Sequence, residues 1–174
     1  AAVSLIGPSD GPSGLIDIKC GTAGAEYKRF MVRAGGARLP KSAKTSEEFS
    51  DRSGNIRTAE NIEMDGLGVL SFFSSVIPKE VRSILEANDL TITDIDVFVF
   101  HQASRIAVDS LVKQLDLPTE KVVCELETVG NLVSASIPHA LQQAMVKGSA
   151  KPGDLAVLCG FGVGLSWGTA IVRL

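Results

Sequence analysis

Apolar positions along this 174-residue chain follow two rhythms, and each predicts a different element. Residues 1–7 and 14–22 ("GLIDIKCGT") read as two strands joined by "PSDGPSG", a run dense in turn formers. Residues 23–57 lose that regularity. Glycines, mixed charge and the stretch "GGARLPKSAKTSEEFSDRSG" describe a long surface excursion, and such loops in compact domains are usually functional or mobile. From about 59 to 88 the period lengthens. Val69, Phe72, Phe73, Val76, Ile77, Val81, Ile84 and Leu85 recur at three- and four-residue spacings, which predicts an amphipathic helix. Pro78 is expected to kink or split it.

In the second half, "DVFVF" (96–100) predicts a buried strand, 103–116 a helix, "KVVCEL" (121–126) a strand and 134–148 a helix. "DLAVLCGF" and "LSWGTAIVRL" predict two closing strands around a glycine-rich turn. Strands alternating with helices predict an α/β fold, a mixed and mostly parallel sheet flanked by helices. Ligands of such sheets sit beyond the carboxyl ends of the strands. His101 ends one predicted strand, Asn131 in "ETVGN" follows the next, and "GFGVG" follows the third. Taken singly, each has a bland reading: a satisfied polar residue, a left-handed turn, a hairpin. Their convergence on successive strand ends marks the candidate site.

Composition narrows the function classes. The chain is 45% hydrophobic and 21% charged with a formal net charge of -3, ordinary for one soluble domain with a substantial core. No lysine or arginine run suits a phosphate backbone, so nucleic acid is not expected. No apolar run reaches the roughly 18–20 residues of a spanning helix, so no membrane partner is expected either. Three widely spaced cysteines form neither a disulfide framework nor a zinc pattern, which fits a reducing, cytoplasmic setting. The opening "AAVSLIGPSD" starts at once in strand-like residues, and the expectation is a chain that begins in mid-domain.

"HQAS" (101–104), "VGNLVSASIPHAL" (129–141) and "GFGVGLSWGTAIVRL" (160–174) together resemble the carboxyl-terminal half of bacterial β-ketoacyl-acyl-carrier-protein synthase III. That family shows an HQAN-like motif, a Gly-Asn followed by a SIP-x-AL run, and a closing GFG-G-WG strand pair. The likeness covers the chain in order, through "MDGLGV" (64–69) to the last residue, and the thirty-residue spacing from His101 to Asn131 agrees with it.

The resemblance implies a thiolase-like fold whose two similar halves pack together, residues 1–174 being the carboxyl-terminal one. It implies a Cys–His–Asn catalytic set in which His101 and Asn131 bind the thioester oxygen of an extender unit and stabilise its enolate. For His101 that implies a proton on Nε2. The family nucleophile sits at a helix amino terminus in the other half. Cys20 and Cys124 lie in strand runs, and Cys159 reads as a small core hydrophobe. Gly66, Leu70, Ala103, Ser104 and Ile106 match positions lining a phosphopantetheine tunnel, although core packing explains Leu70 and Ile106 equally. Arg105 and Lys113 match a docking face for an acidic carrier protein, or a solvated helix face.

The same resemblance places Phe161 against the acyl chain or the catalytic residues, and Gly162 and Val163 in a loop whose backbone N–H groups serve the acyl oxyanion. Trp167 reads as support for the strand pair, and His139 as a helix-surface residue without chemistry. Two positions depart from the family: Ser104 replaces the Asn of HQAN, and Val163 replaces a glycine. Valine enters positive φ only with difficulty, which questions the loop geometry.

The leading expectation is therefore the carboxyl-terminal half of an acyltransferase of this kind, performing decarboxylative Claisen condensation when joined to its own amino-terminal half, and inactive alone. It needs no cofactor beyond substrates carried on CoA or on the phosphopantetheine of an acyl carrier protein. A large apolar face awaiting cover predicts a dimer or other homo-oligomer. The competing reading is a non-catalytic partner or scaffold subunit.

Overall fold

A computed structural model describes every residue except Asp10, within the 8–14 turn run, and Arg52. The central sheet holds four strands in the order β1 (Gly14–Thr22), β8 (Ser166–Arg173), β7 (Leu155–Gly162), β6 (Val97–Phe100). β6 and β7 run parallel, pairing Val97 with Ala156 and Phe100 with Cys159. β8 is antiparallel to both β7 and β1. The sheet is mixed, as expected, but its balance leans antiparallel rather than mostly parallel. The short "VGL" connection from β7 to β8 can only be a hairpin, because a parallel return needs a crossover of a dozen or more residues.

Alternation sends successive residues of β6 and β7 to opposite faces. Phe98, Phe100, Val157 and Cys159 pack beneath α1 (Gly66–Ala87) and α2 (Arg105–Leu115). Val97, Val99 and Ala156 pack against Ala140 and Ala144 of α4 (Ser136–Lys147). With helices on both faces, all four β6 residues are buried, which explains the unbroken apolar run. Fully burying each such side chain contributes about 1.5–3 kcal/mol.

Helix α1 starts at Gly66, where Asp65 caps it by accepting from the Gly68 N–H at 3.0 Å. Pro78 neither splits nor ends it. The buried stripe Phe73, Ile77, Val81, Ile84 and Leu85 holds the helix through the lost N–H bond. The predicted helix begins too early, since Ile62–Met64 form a strand, β5, paired with β2 (Phe30–Val32). The 23–57 excursion is folded: it supplies β2 and a second small hairpin of β3 (Phe49–Ser50) and β4 (Ile56–Arg57).

Residues 1–7 form no strand. Ala1–Ser4 lie instead beside Ile137, His139 and Gln142 of α4, in a cavity of about 650 Å³. Half-buried His139 lines that cavity as well.

"KVVCEL" is not a strand either. It touches β6 through one bridge, Phe98 with Val122, and one bond from the Val123 N–H to the Phe98 carbonyl at 3.0 Å. The buried Gln102 side chain replaces the missing ladder: its Nε2 donates to the Val123 carbonyl at 2.9 Å and its Oε1 accepts from the Glu125 N–H at 2.8 Å. A one-turn helix, α3 (Leu126–Val129), follows. Among the described residues no helix is long and apolar enough to cross a membrane.

Candidate active site

His101 leaves the carboxyl end of β6 with its main chain still tied to the neighbouring strand. Its N–H donates to the Cys159 carbonyl at 2.8 Å. The ring meets Phe161 edge to face, with centroids 5.4 Å apart, and Phe161 in turn packs on Phe73 at 4.7 Å. On the other side Nδ1 lies 2.7 Å from the Ser136 hydroxyl, at the first residue of α4. Burial pushes the imidazole below its ordinary value of 6.5, and the Val133 carbonyl, which favours a protonated ring nitrogen, opposes that shift.

Asn131 does not follow a strand. It stands in the turn after α3, where Gly130 adopts a positive φ of 65° and Val133 a φ of 53°. Its Oδ1 accepts from the Val133 N–H at 2.8 Å, and its Nδ2 donates to the Ala103 carbonyl at 3.2 Å. Both bonds require the same amide orientation, because one partner can only donate and the other only accept. The second N–H of Nδ2 makes no hydrogen bond among the described residues, so it is the group Asn131 has to offer.

His101 and Asn131 open onto one cavity of about 480 Å³ between the first turns of α1 and α2, with Phe161 and Gly162 at its edge. Gly66 and Leu70 come to it from α1, Ala103, Ser104 and Ile106 from the start of α2. Leu70 is half-buried and Ile106 exposed, so neither belongs to the packed core. Ser104, in the place of an Asn, caps α2 by accepting from the Ala107 N–H at 3.2 Å. Sequence reasoning missed Phe30, Met64, Val69, Phe73, Ala107 and Leu111, which complete the apolar wall, with the Ser74 hydroxyl beside them. Their residue types look like core, and only the gap between the two helices distinguishes them. It also missed Ser136 and Gln102.

Other expectations separate. Val163 is 60% exposed and outside the cavity wall. The positive φ of its loop falls on Gly164, at 146°, so the Gly-to-Val replacement meets no backbone conflict. Arg105 is engaged by Asp109 and Glu127 and donates to Cys124 Sγ at 3.7 Å, while exposed Lys113 has no ion pair among the described residues. Trp167 rests on Phe72 beside Gly21, as support for the β1–β8 pair. None of the three cysteines lines the cavity. Burial pushes the Cys159 thiol up to about 12, with Thr169 Oγ1 donating to it, so it is a core residue.

The arrangement of a mixed sheet between helices, with a His and an Asn at its open end, has the thiolase-like fold. A crystal structure of 3-oxoacyl-(acyl-carrier-protein) synthase III superposes with a TM-score of 0.89 at 34% identity, covering 99% of this chain and 50% of the other. The Thermus thermophilus synthase III structure gives a TM-score of 0.79 at 27% identity, covering 97% and 49%. The family model described as 3-oxoacyl-[acyl-carrier-protein] synthase III C terminal matches residues 85–174. The β-ketoacyl-[acyl-carrier-protein] synthase III of Rhodopirellula baltica is 36% identical over 92% of this chain and 44% of its own length. That of Clostridioides difficile is 36% identical over 99% and 50%. The chain belongs to the 3-oxoacyl-[acyl-carrier-protein] synthase III family. It spans about half the length of the curated relatives it matches.

Proposed function

We infer that these residues form the carboxyl-terminal catalytic half of a decarboxylative condensing enzyme. The observation that carries this reading is the shared cavity of His101 and Asn131, each held by bonds to separate elements. In the reaction, the carboxyl carbon of a malonyl thioester leaves as CO₂ and its bonding pair passes into an enolate. The enolate carbon attacks the acyl group held as a thioester on a cysteine, forming a carbon–carbon bond and releasing the thiolate. Negative charge develops on the malonyl thioester oxygen, and fixed donors aimed at such an oxygen are worth about 3–4 kcal/mol each. Asn131 supplies its free Nδ2 proton and His101 the nitrogen that Ser136 leaves unengaged.

The nucleophile comes from the amino-terminal half of the protein, since no cysteine of this chain lines the cavity. These residues alone do not condense. The apolar space between α1 and α2 suits the phosphopantetheine arm of CoA or of an acyl carrier protein. Lys113, exposed beyond it, suits an acidic carrier, and Arg105 contributes less because two carboxylates already engage it. The working assembly is a homo-oligomer of the full-length protein.

The test compares His101→Ala and Asn131→Ala in the full-length protein, reading acyl-enzyme by intact mass and condensation by product formation. Each variant is expected to lose condensation by about 100- to 1000-fold while still loading the acyl group. Condensation at the wild-type rate in both would leave a scaffold subunit as the better description.

A further inference from the structure

We propose that Glu125, through its ion pair with Lys147, is a positioning residue for Asn131. Only the single turn of α3 separates Glu125 from the Gly130–Asn131 turn. Such a turn does not hold its shape alone, because nucleating a helix fixes several backbone angles for few hydrogen bonds. Both of its ends are anchored by other elements. Beyond its far end, Asn131 Nδ2 donates to the Ala103 carbonyl. At its near end the anchor is Glu125. The Glu125 carbonyl accepts from the Thr128 and Val129 N–H groups, both at 3.1 Å. Its N–H donates to Gln102 Oε1 at 2.8 Å, on the residue that follows His101.

The side chain adds a further tie. Glu125 is 8% exposed, and a carboxylate so buried needs a counter-charge. Lys147, the last residue of α4, donates from Nζ to its Oε1 at 2.6 Å and is its only cationic partner among the described residues. The first residue of α4, Ser136, lies against the His101 ring. One helix thus reaches both polar groups of the site: Ser136 meets His101, and Lys147 fixes the start of the turn that presents Asn131. Neither Glu125 nor Lys147 lines the cavity, so their effect on chemistry passes through the residues they hold. Within the condensing reading, on which this inference rests, loss of Lys147 leaves the carboxylate buried and uncompensated. The turn then shifts, and Nδ2 loses its aim at the developing enolate oxygen.

The test is made in the full-length protein, by single-turnover condensation of preloaded acyl-enzyme with a malonyl thioester. Lys147→Met is expected to slow condensation by about 10- to 100-fold, the cost of a group misplaced by about an ångström. Acyl loading and the half-saturating malonyl thioester concentration are expected to stay at wild-type values. Lys147→Arg, which keeps a cationic donor, is expected to retain most of the rate. If Lys147→Met fails to fold, Glu125→Gln/Lys147→Met removes both charges together and is expected to show the same loss. In an Asn131→Ala background either change is expected to add nothing, because the donor being placed is gone. A wild-type rate in the folded variant overturns the proposal. An equal further loss with Asn131 absent overturns it as well, since the ion pair would then be general support. A wild-type rate in Asn131→Ala alone overturns the condensing reading and the proposal with it, a result distinct from the other two.

Discussion

The Asn131 side chain donates to the Ala103 carbonyl at 3.2 Å, joining the turn after α3 to the start of α2. The residue before Ala103 but one is His101, so this bond sets the distance between the two polar groups of the cavity from the main chain. Asn131→Asp keeps the shape and removes the donor. An oxygen then faces the Ala103 carbonyl, and negative charge sits where an enolate would form. Condensation is expected to fall by about 100- to 1000-fold, no better than Asn131→Ala. A steady-state rate within tenfold of wild type would contradict the role given to the Nδ2 proton.

Gln102 is 2% exposed and satisfies two backbone groups that a strand ladder would otherwise pair. Gln102→Leu matches its bulk but leaves the Val123 carbonyl and the Glu125 N–H without partners. Buried unsatisfied groups cost about 1–3 kcal/mol each, so the expected loss for the two is about 2–6 kcal/mol. Urea unfolding of the full-length protein measures it. A change below about 0.5 kcal/mol would mean that the 122–126 segment repairs itself with water.

The elements legible in the sequence are those whose pattern is local. β6, β7 and β8 show their burial in alternation or in an unbroken apolar run, and His101 was readable as the residue where β6 stops. The segment 121–126 has the composition of a strand. Its pairing is taken over by the side chain of Gln102, some twenty residues away, and no local pattern announces that. β5 likewise exists because β2 waits thirty residues earlier. The family likeness carried Gly66, Leu70, Ala103, Ser104 and Ile106 to one cavity that periodicity alone would have filed under packing. Ser136 was invisible in both ways, since a serine opening a helix suggests only a helix start.

Burial lowers the His101 imidazole below 6.5, and that shift has a stability consequence. Between the lower folded value and the unfolded value the unfolded chain binds more protons, so stability rises with pH across that window. The contribution is complete above about 6.5, and it is lost as pH falls from there through the folded value. His101→Gln removes the titration. The difference in unfolding midpoint between wild type and this variant is expected to shift against wild type from pH 7.5 to pH 5.5. A difference that stays constant over that range would place the ring in solvent.

Val133 is a β-branched residue held at a φ of 53°, where such side chains are rare and cost about 1–3 kcal/mol. Its side chain is 70% exposed, so packing does not compensate for the strain. The turn keeps it there because its N–H serves Asn131 and its carbonyl serves Ser136. Asparagine tolerates the left-handed region and would keep both backbone bonds. Val133→Asn is therefore expected to stabilise the protein by about 1 kcal/mol, a rise in Tm of about 2–4 °C for a domain of this size. The control is Val129→Asn, at a position in α3 without positive φ, where no gain is expected. Calorimetry of the two variants decides between them: equal shifts would trace the effect to polarity, and a lower Tm for Val133→Asn would show that the valine side chain holds the turn.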